Sequence, residues 1–230
     1  MHLAGENEEP KCHPDIGFVL DVAMSDPVNW DIEKQFILKL ANRSGMSENG
    51  AHVSVATFSS ECPLDCVSKP GPVEKREICP YDCPNDRPDA ELMIKFNEYI
   101  DFRSFEMAVY ELRDGGLGHL MDKGMEIALN DMFQKKNGMR TKSPKTLVMI
   151  TDGHQSGVDY AKWGQLFDDA NIRVVLVGIG KDVKTNVIDF QRLVKDKKDL
   201  HLVSTFDSLL NDSLVGNISL CKGKYPKLIL

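Results

Sequence analysis

The sequence DIGFVLDVAMSDPVNW, residues 15–30, decides how we expect this chain to fold. Its apolar run, residues 16–20, has the length and the side chains of a buried β-strand. The run ends at Asp21, and Ser25 follows before a helix-like pattern begins at Trp30. The strand therefore delivers an acidic residue into a polar loop, which raises the question of a metal site.

Five further segments have the length and the β-branched content of strands. They are residues 52–58, 91–97, 145–152, 172–180 and 200–206. Several are apolar throughout, which predicts burial on both faces, as in the centre of a mainly parallel sheet.

Three segments repeat apolar residues with helical spacing, namely residues 30–42, 119–133 and 206–221. In the second of them Met121, Met125 and Met132 share one face, which we interpret as core packing. Amphipathic helices that alternate with buried strands predict an α/β fold with a doubly wound, mainly parallel open sheet.

The composition excludes some classes of protein. A formal net charge of −7 argues against a nucleic-acid partner, because phosphate binding relies on clustered basic residues. No apolar run approaches the roughly 18 residues that span a bilayer, so no membrane span is expected. Basic residues cluster once, and we interpret that cluster as a solvated loop, with a polyanion contact as the alternative. Its members are Lys135, Lys136, Arg140, Lys142 and Lys145.

Six cysteines favour an oxidised, extracellular protein. In a doubly wound topology Cys12 precedes the first strand and Cys221 ends the last helix, so both fall at the edge of the sheet opposite to the ligand edge. We therefore predict a disulfide between them. The domain is expected over residues 12–221, with flexible tails at 1–11 and 222–230.

The other four cysteines lie in a proline-rich segment, residues 60–90, that interrupts the α/β pattern. They are Cys62, Cys66, Cys79 and Cys83. We interpret the segment as a disulfide-rich insertion with three possible pairings. A structural zinc site is the alternative, because two CxxxC pairs fall near the spacing of zinc ligands.

Two later loops complete a pattern that begins at Asp21. Residues 113–120, RDGGLGHL, precede the methionine-rich helix, and residues 151–157, TDGHQSG, follow a strand. With these motifs in order, the chain resembles the von Willebrand factor type A domain family, and most of all its extracellular-matrix A domains of the matrilin and byssal-thread type. The resemblance implies a metal-ion-dependent adhesion site at the loops that follow the strands.

Carried over residue by residue, that site is incomplete. Asp21, Ser25 and Asp152 match the family's ligands, but Ala23 stands at a serine position and Leu117 at the threonine position. Magnesium requires six oxygen ligands in near-octahedral array, which aliphatic groups cannot supply. We expect weak or absent binding of magnesium or calcium and no obligatory cofactor.

Two histidines, His119 and His154, occur in the same pair of loops. With the two aspartates they form an alternative ligand set of nitrogen and oxygen that suits zinc, copper or nickel better than magnesium. Loop histidines without a metal role are the simpler interpretation.

The sequence gives little support to catalysis, because it lacks nucleophile-elbow, phosphate-loop and dinucleotide motifs. The resemblance implies a secreted, non-enzymatic module that binds matrix macromolecules, with collagen first and polysaccharide as another possibility. The alternative is a cell-surface receptor domain that binds an acidic ligand residue through a residual metal site.

Three Asn-x-Ser sequons are compatible with secretion. A continuous helix over residues 206–221 would place Asn217 on the apolar side. Asn42 and Asn211 are therefore the candidates for glycosylation.

Overall fold

The computed structural model describes residues 12–22, 27–59, 89–112 and 119–218. Within these ranges six strands form one sheet in the order β3-β2-β1-β4-β5-β6. They are β1 (Asp15–Asp21), β2 (His52–Phe58), β3 (Ala90–Ile94), β4 (Lys145–Thr151), β5 (Ile172–Ile179) and β6 (Leu200–Val203). All neighbours are parallel except β2 and β3, so the predicted mainly parallel sheet is confirmed.

Seven α-helices flank the described part of the sheet. They are α1 (Pro27–Arg43), α2 (Phe102–Glu111), α3 (Met121–Ile127), α4 (Tyr160–Asp169), α5 (Gly180–Thr185), α6 (Val187–Leu193) and α7 (Asp212–Asn217). Short 3-10 turns cover Lys135–Asn137, Lys197–Asp199 and Phe206–Leu210. Among the described residues no helix is long and apolar enough to cross a membrane.

Burial of the strands on both faces creates two apolar cores. In β1, Phe18 and Leu20 join the core on one face of the sheet, with α1 and α2, whereas Val19 joins the other core, with α3 and α4. Every residue of β1 is buried. This alternation explains why the strand sequence is apolar throughout rather than half polar.

The methionine-rich segment packs as predicted. Met121, Met125 and Met132 are fully buried in the second core. The helix is not uniform, however, since α3 continues into a π-helical turn at Ala128–Met132, closed by a bond of 3.1 Å from the Phe133 N–H to the Ala128 carbonyl.

The continuous helix expected over residues 206–221 is wrong for its described part. A 3-10 turn ends at Leu210, and α7 begins only after Asn211, whose side chain accepts a hydrogen bond of 2.9 Å from the Ser213 N–H. An asparagine that caps the start of one helix ends the helical segment before it. Its side chain accepts a hydrogen bond from a backbone N–H that a backbone carbonyl would accept in a continuous helix. The shift in helical phase leaves Asn217 exposed, so the burial argument against its glycosylation does not hold.

At the amino edge of the sheet, Arg140 is part of the architecture rather than of a basic patch. Its Nε donates to Asp15 Oδ1 at 2.7 Å, and its backbone N–H donates to the other carboxylate oxygen at 2.6 Å. Burial raises the pKa of Asp15, and the guanidinium opposes that rise. Cys12, at the same edge, is disulfide-bonded. Its predicted partner Cys221 and the insertion cysteines lie outside the described residues.

Topology fixes where a ligand would bind. The sheet order reverses at β1, which has β2 on one side and β4 on the other. At such a switch point the loops after adjacent strands diverge and leave a crevice at the carboxyl ends. Asp21 ends β1 and Asp152 follows β4, so the fold brings these two residues to the crevice.

Candidate metal centre

Asp21 is the buried base of the site, with a relative exposure of 2%. The register between β1 and β4 pairs Leu20 with Ile150, which puts Thr151 beside the aspartate. The Thr151 hydroxyl donates to Asp21 Oδ2 at 2.6 Å. The strand ends therefore hold this carboxylate in one orientation.

His119 forms the second contact to the same oxygen. Its Nδ1 lies 2.7 Å from Asp21 Oδ2, and its side chain is 32% exposed. The hydrogen bond to Asp21 raises the pKa of His119, and burial opposes that rise only in part. The imidazole is thus favoured in its charged form, as a cation held against a buried carboxylate.

Gly153 makes room for this ring. A Cβ at that position would come within 2.3 Å of His119 Cδ2, closer than any real contact of that type. The Gly153 N–H also donates to the Thr151 hydroxyl at 3.1 Å. Residues 151–153 therefore bond the Asp21 carboxylate through Thr151 and leave space for the His119 ring at Gly153.

Asp152 completes the group. Its Oδ1 is 3.7 Å from His119 Nδ1, and its side chain is 35% exposed. Burial and the nearby Asp21 carboxylate raise the pKa of Asp152, although His119 opposes this. One ligand atom each from Asp21, His119 and Asp152 lies within 4.8 Å of the others.

His154 is placed outside this group. Its Nε2 lies 3.1 Å from Asp189 Oδ2, and its ring stacks on Tyr160 with a centroid distance of 5.6 Å. Burial raises the pKa of Tyr160 to about 12, so the phenol remains a neutral packing partner. Of the other predicted site residues, Ser25 lies outside the described residues, as do Ala23 and Leu117.

Comparison with known proteins gives the family. A sequence profile described as the von Willebrand factor type A domain matches residues 84–212, more than half of the chain. The chain belongs to the von Willebrand factor type A domain family. No curated protein sequence matches it.

Solved structures agree on the fold. The chain is similar to proximal thread matrix protein 1 from the mussel byssus, with a TM-score of 0.70, 15% identity and coverage of 90% of this chain and 47% of that chain. A structure of the same mussel protein with a zinc-occupied adhesion motif gives a TM-score of 0.69, 17% identity and coverage of 91% and 48%. This chain therefore spans about half the length of that protein.

The described donor set does not fit magnesium. Two carboxylates and an imidazole are offered, and the imidazole already contacts Asp21 Oδ2 at 2.7 Å. Magnesium prefers oxygen ligands, whereas imidazole suits zinc, copper and nickel. The described residues of this type A domain thus form a candidate site for a divalent cation.

Glu33 lies behind this site and was missed by motif reasoning. It belongs to α1, is 2% exposed, and its Oε2 has no hydrogen-bond partner among the described residues. Burial raises the pKa of Glu33 well above its usual value, and the charges of Asp21 and Asp152 add to the rise. The sequence does contain a signal for this residue, because Glu33 is an acidic residue on the helix face that carries the apolar residues Trp30, Ile37 and Ala41.

Proposed function

We propose that this protein is a secreted, non-enzymatic module of the extracellular matrix, which binds a matrix macromolecule of the collagen type through the carboxyl edge of its sheet and does so without magnesium. The family supports an adhesion or binding role. Structural similarity to a byssal matrix protein and a disulfide-bonded Cys12 support the extracellular setting.

One observation carries the proposal, namely the 2.7 Å contact between His119 Nδ1 and Asp21 Oδ2. In a magnesium-dependent site that carboxylate faces a cation or its water. Here the His119 imidazole, whose raised pKa favours its cationic form, provides the compensating positive charge from within the chain. Binding at this edge then depends on side chains and backbone rather than on a dissociable ion.

The test is binding of the full chain to immobilised fibrillar collagen, chitin and sulfated glycans, with either millimolar magnesium or excess EDTA. We expect the same affinity in both buffers for the ligand that binds. Asp152→Arg, at the carboxyl edge, should abolish binding. Asp169→Arg introduces the same charge change at the far end of α4 and should not. Loss of binding in EDTA, or equal effects of the two variants, would contradict the proposal.

The mutual distances of Asp21, His119 and Asp152 favour a second candidate. A zinc-like ion on these ligands would keep open positions for a carboxylate of the partner, as in a cell-surface adhesion receptor that recognises an acidic residue. In this case zinc should restore binding after EDTA where magnesium does not, and His119→Ala should remove the zinc effect.

A further inference from the structure

Two asparagine–glycine pairs occur in the sequence, Asn49–Gly50 and Asn137–Gly138. In such a pair the asparagine loses its side-chain amide most readily, because glycine has no side chain to hinder attack by its own backbone nitrogen. An unfolded chain therefore exposes both pairs to the same chemistry. In the folded chain their surroundings differ.

Asn49 lies in the turn between α1 and β2. Its side chain is exposed and makes no hydrogen bond within the described part of the chain. The attacking nitrogen, that of Gly50, donates its N–H to the Ser47 carbonyl at 3.0 Å. A single bond of this kind in an exposed turn opens at little cost, so the Asn49 amide and the Gly50 nitrogen can meet in solvent.

Asn137 provides the contrast within the same molecule. It is 7% exposed, and its Nδ2 donates to the Asp131 carbonyl at 2.8 Å. The Gly138 N–H is bonded much as that of Gly50 is, at 3.1 Å to the Lys135 carbonyl. The two pairs therefore differ in the burial and bonding of the asparagine side chain, and not in the state of the attacking nitrogen.

We infer that Asn49 is a modification site, at which the folded protein loses ammonia without an enzyme, whereas Asn137 is protected. The Gly50 nitrogen attacks the side-chain carbonyl carbon of Asn49, and its proton leaves with the amide nitrogen as ammonia. The cyclic succinimide that results takes up one water molecule. Opening at the side-chain carbonyl gives aspartate. Opening at the backbone carbonyl gives isoaspartate, in which the chain continues through the former side chain.

The isoaspartate would disturb the amino edge of the sheet, because the Gly50 carbonyl takes part in the contacts of Arg140. This oxygen accepts from Arg140 Nη1 at 3.0 Å, and the same guanidinium donates to Asp15 and to the carbonyls of His13 and Pro14. Isoaspartate adds one carbon to the backbone before Gly50, about 1.5 Å of chain. A hydrogen bond of 3.0 Å does not survive a displacement of that size.

The modification therefore releases Arg140 from the turn and lowers the melting temperature of the protein. The turn precedes β2 and lies at the edge of the sheet opposite to the proposed binding edge. The inference is thus independent of the proposed function, and neither depends on the outcome of the other's test.

The test is incubation of the full chain, with its disulfides intact, in mildly alkaline buffer at physiological temperature. Samples are digested at mildly acidic pH, and mass spectrometry with fragmentation that distinguishes isoaspartate from aspartate follows both pairs over time. We expect conversion of Asn49 to the two products and an intact Asn137. A sample unfolded in guanidinium chloride in the same buffer is the reference, in which both asparagines should convert at similar rates.

Two outcomes would overturn the inference. One is an unmodified Asn49 in the folded protein over the time in which the unfolded reference converts. The other is equal conversion of Asn49 and Asn137 in the folded protein, which would show that the fold does not direct the reaction.

Matched variants then test the effect on Arg140. In the wild type the melting temperature should fall as isoaspartate accumulates. Asn49→Gln, whose longer side chain would have to form a larger ring, should keep its melting temperature through the same incubation. Freshly purified Asn49→Asp carries the product's charge on a normal backbone and should melt close to the wild type. A constant melting temperature while isoaspartate accumulates, or an equal fall in Asn49→Gln, would contradict the role assigned to the Gly50–Arg140 contact.

Discussion

Replacement of Glu33 by glutamine should stabilise the protein, and the gain should grow with pH. The side chain is 2% exposed and its pKa is raised well above the ordinary value of 4.5 by burial and by the charges of Asp21 and Asp152. The unfolded chain therefore loses this proton at lower pH than the folded chain does. Between the two pKa values, folding must retain a proton that the solvent would remove, so stability falls as pH rises.

The size of the stability gain follows from the difference between the pKa values of Glu33 in the unfolded and folded states. Each pH unit above about 4.5 costs about 1.4 kcal/mol until the pKa of the folded state is reached. Glutamine has the same shape as glutamic acid and does not titrate, so the substitution removes this dependence of stability on pH. Its amide must still be buried, which offsets about 1 kcal/mol of the gain.

The assay is urea unfolding of wild type and Glu33→Gln at several pH values from about 5 upward, where stability falls with pH until the raised pKa of the folded carboxyl is reached. Glu111→Gln is the matched control, since Glu111 is exposed at the end of α2. The stability difference for Glu33 should widen with pH, whereas the difference for Glu111 should stay near zero. A constant difference for Glu33 across this range would refute the reasoning.

Three further predictions concern parts of the molecule away from Glu33. Non-reducing peptide mapping should recover Cys12 joined to Cys221, and a bond from Cys12 to an insertion cysteine would refute the pairing. Gly153→Ala should destabilise by roughly 1–3 kcal/mol because its Cβ would overlap the His119 ring, and adding His119→Ala should recover part of that loss in a double-mutant cycle. Mass spectrometry of the secreted protein should find a glycan at Asn42, which is exposed near the end of α1, and an unmodified Asn42 would contradict this.

Most of the sheet could be predicted because its strands are buried on both faces. The apolar run of residues 16–20 lies within β1, and the predicted segment 52–58 has the limits of β2, because both strands are buried along almost their whole length. The expected segment 91–97 is shorter in the structure, where β3 ends at Ile94, because β3 is an antiparallel edge strand with little burial.

The site could be predicted only in part. Asp21 and Asp152 follow from the topology, since Asp21 ends β1 and Asp152 comes directly after the neighbouring parallel strand β4. In the sequence, His119 and His154 are equally good candidates for metal ligands. Only the structure distinguishes them, because His119 contacts Asp21 whereas His154 contacts Asp189. Thr151 belongs to the TDG motif of the sequence, and the strand register also makes it a neighbour of Asp21.

The helix break at Asn211 shows a limit of predicting helices from apolar periodicity. Apolar residues continue with helical spacing on both sides of it, so periodicity alone indicates one helix. The side chain of Asn211 instead caps α7. A local hydrogen bond of this kind competes with helix continuation and leaves no trace in the apolar pattern.

The most direct test of the central claim is the melting temperature of the full chain in excess EDTA and in rising magnesium. Stabilisation by a ligand follows its concentration relative to its dissociation constant, so a site closed by the His119–Asp21 pair predicts no change up to millimolar magnesium. A saturable rise in melting temperature with magnesium that Asp21→Ala abolishes would contradict the account.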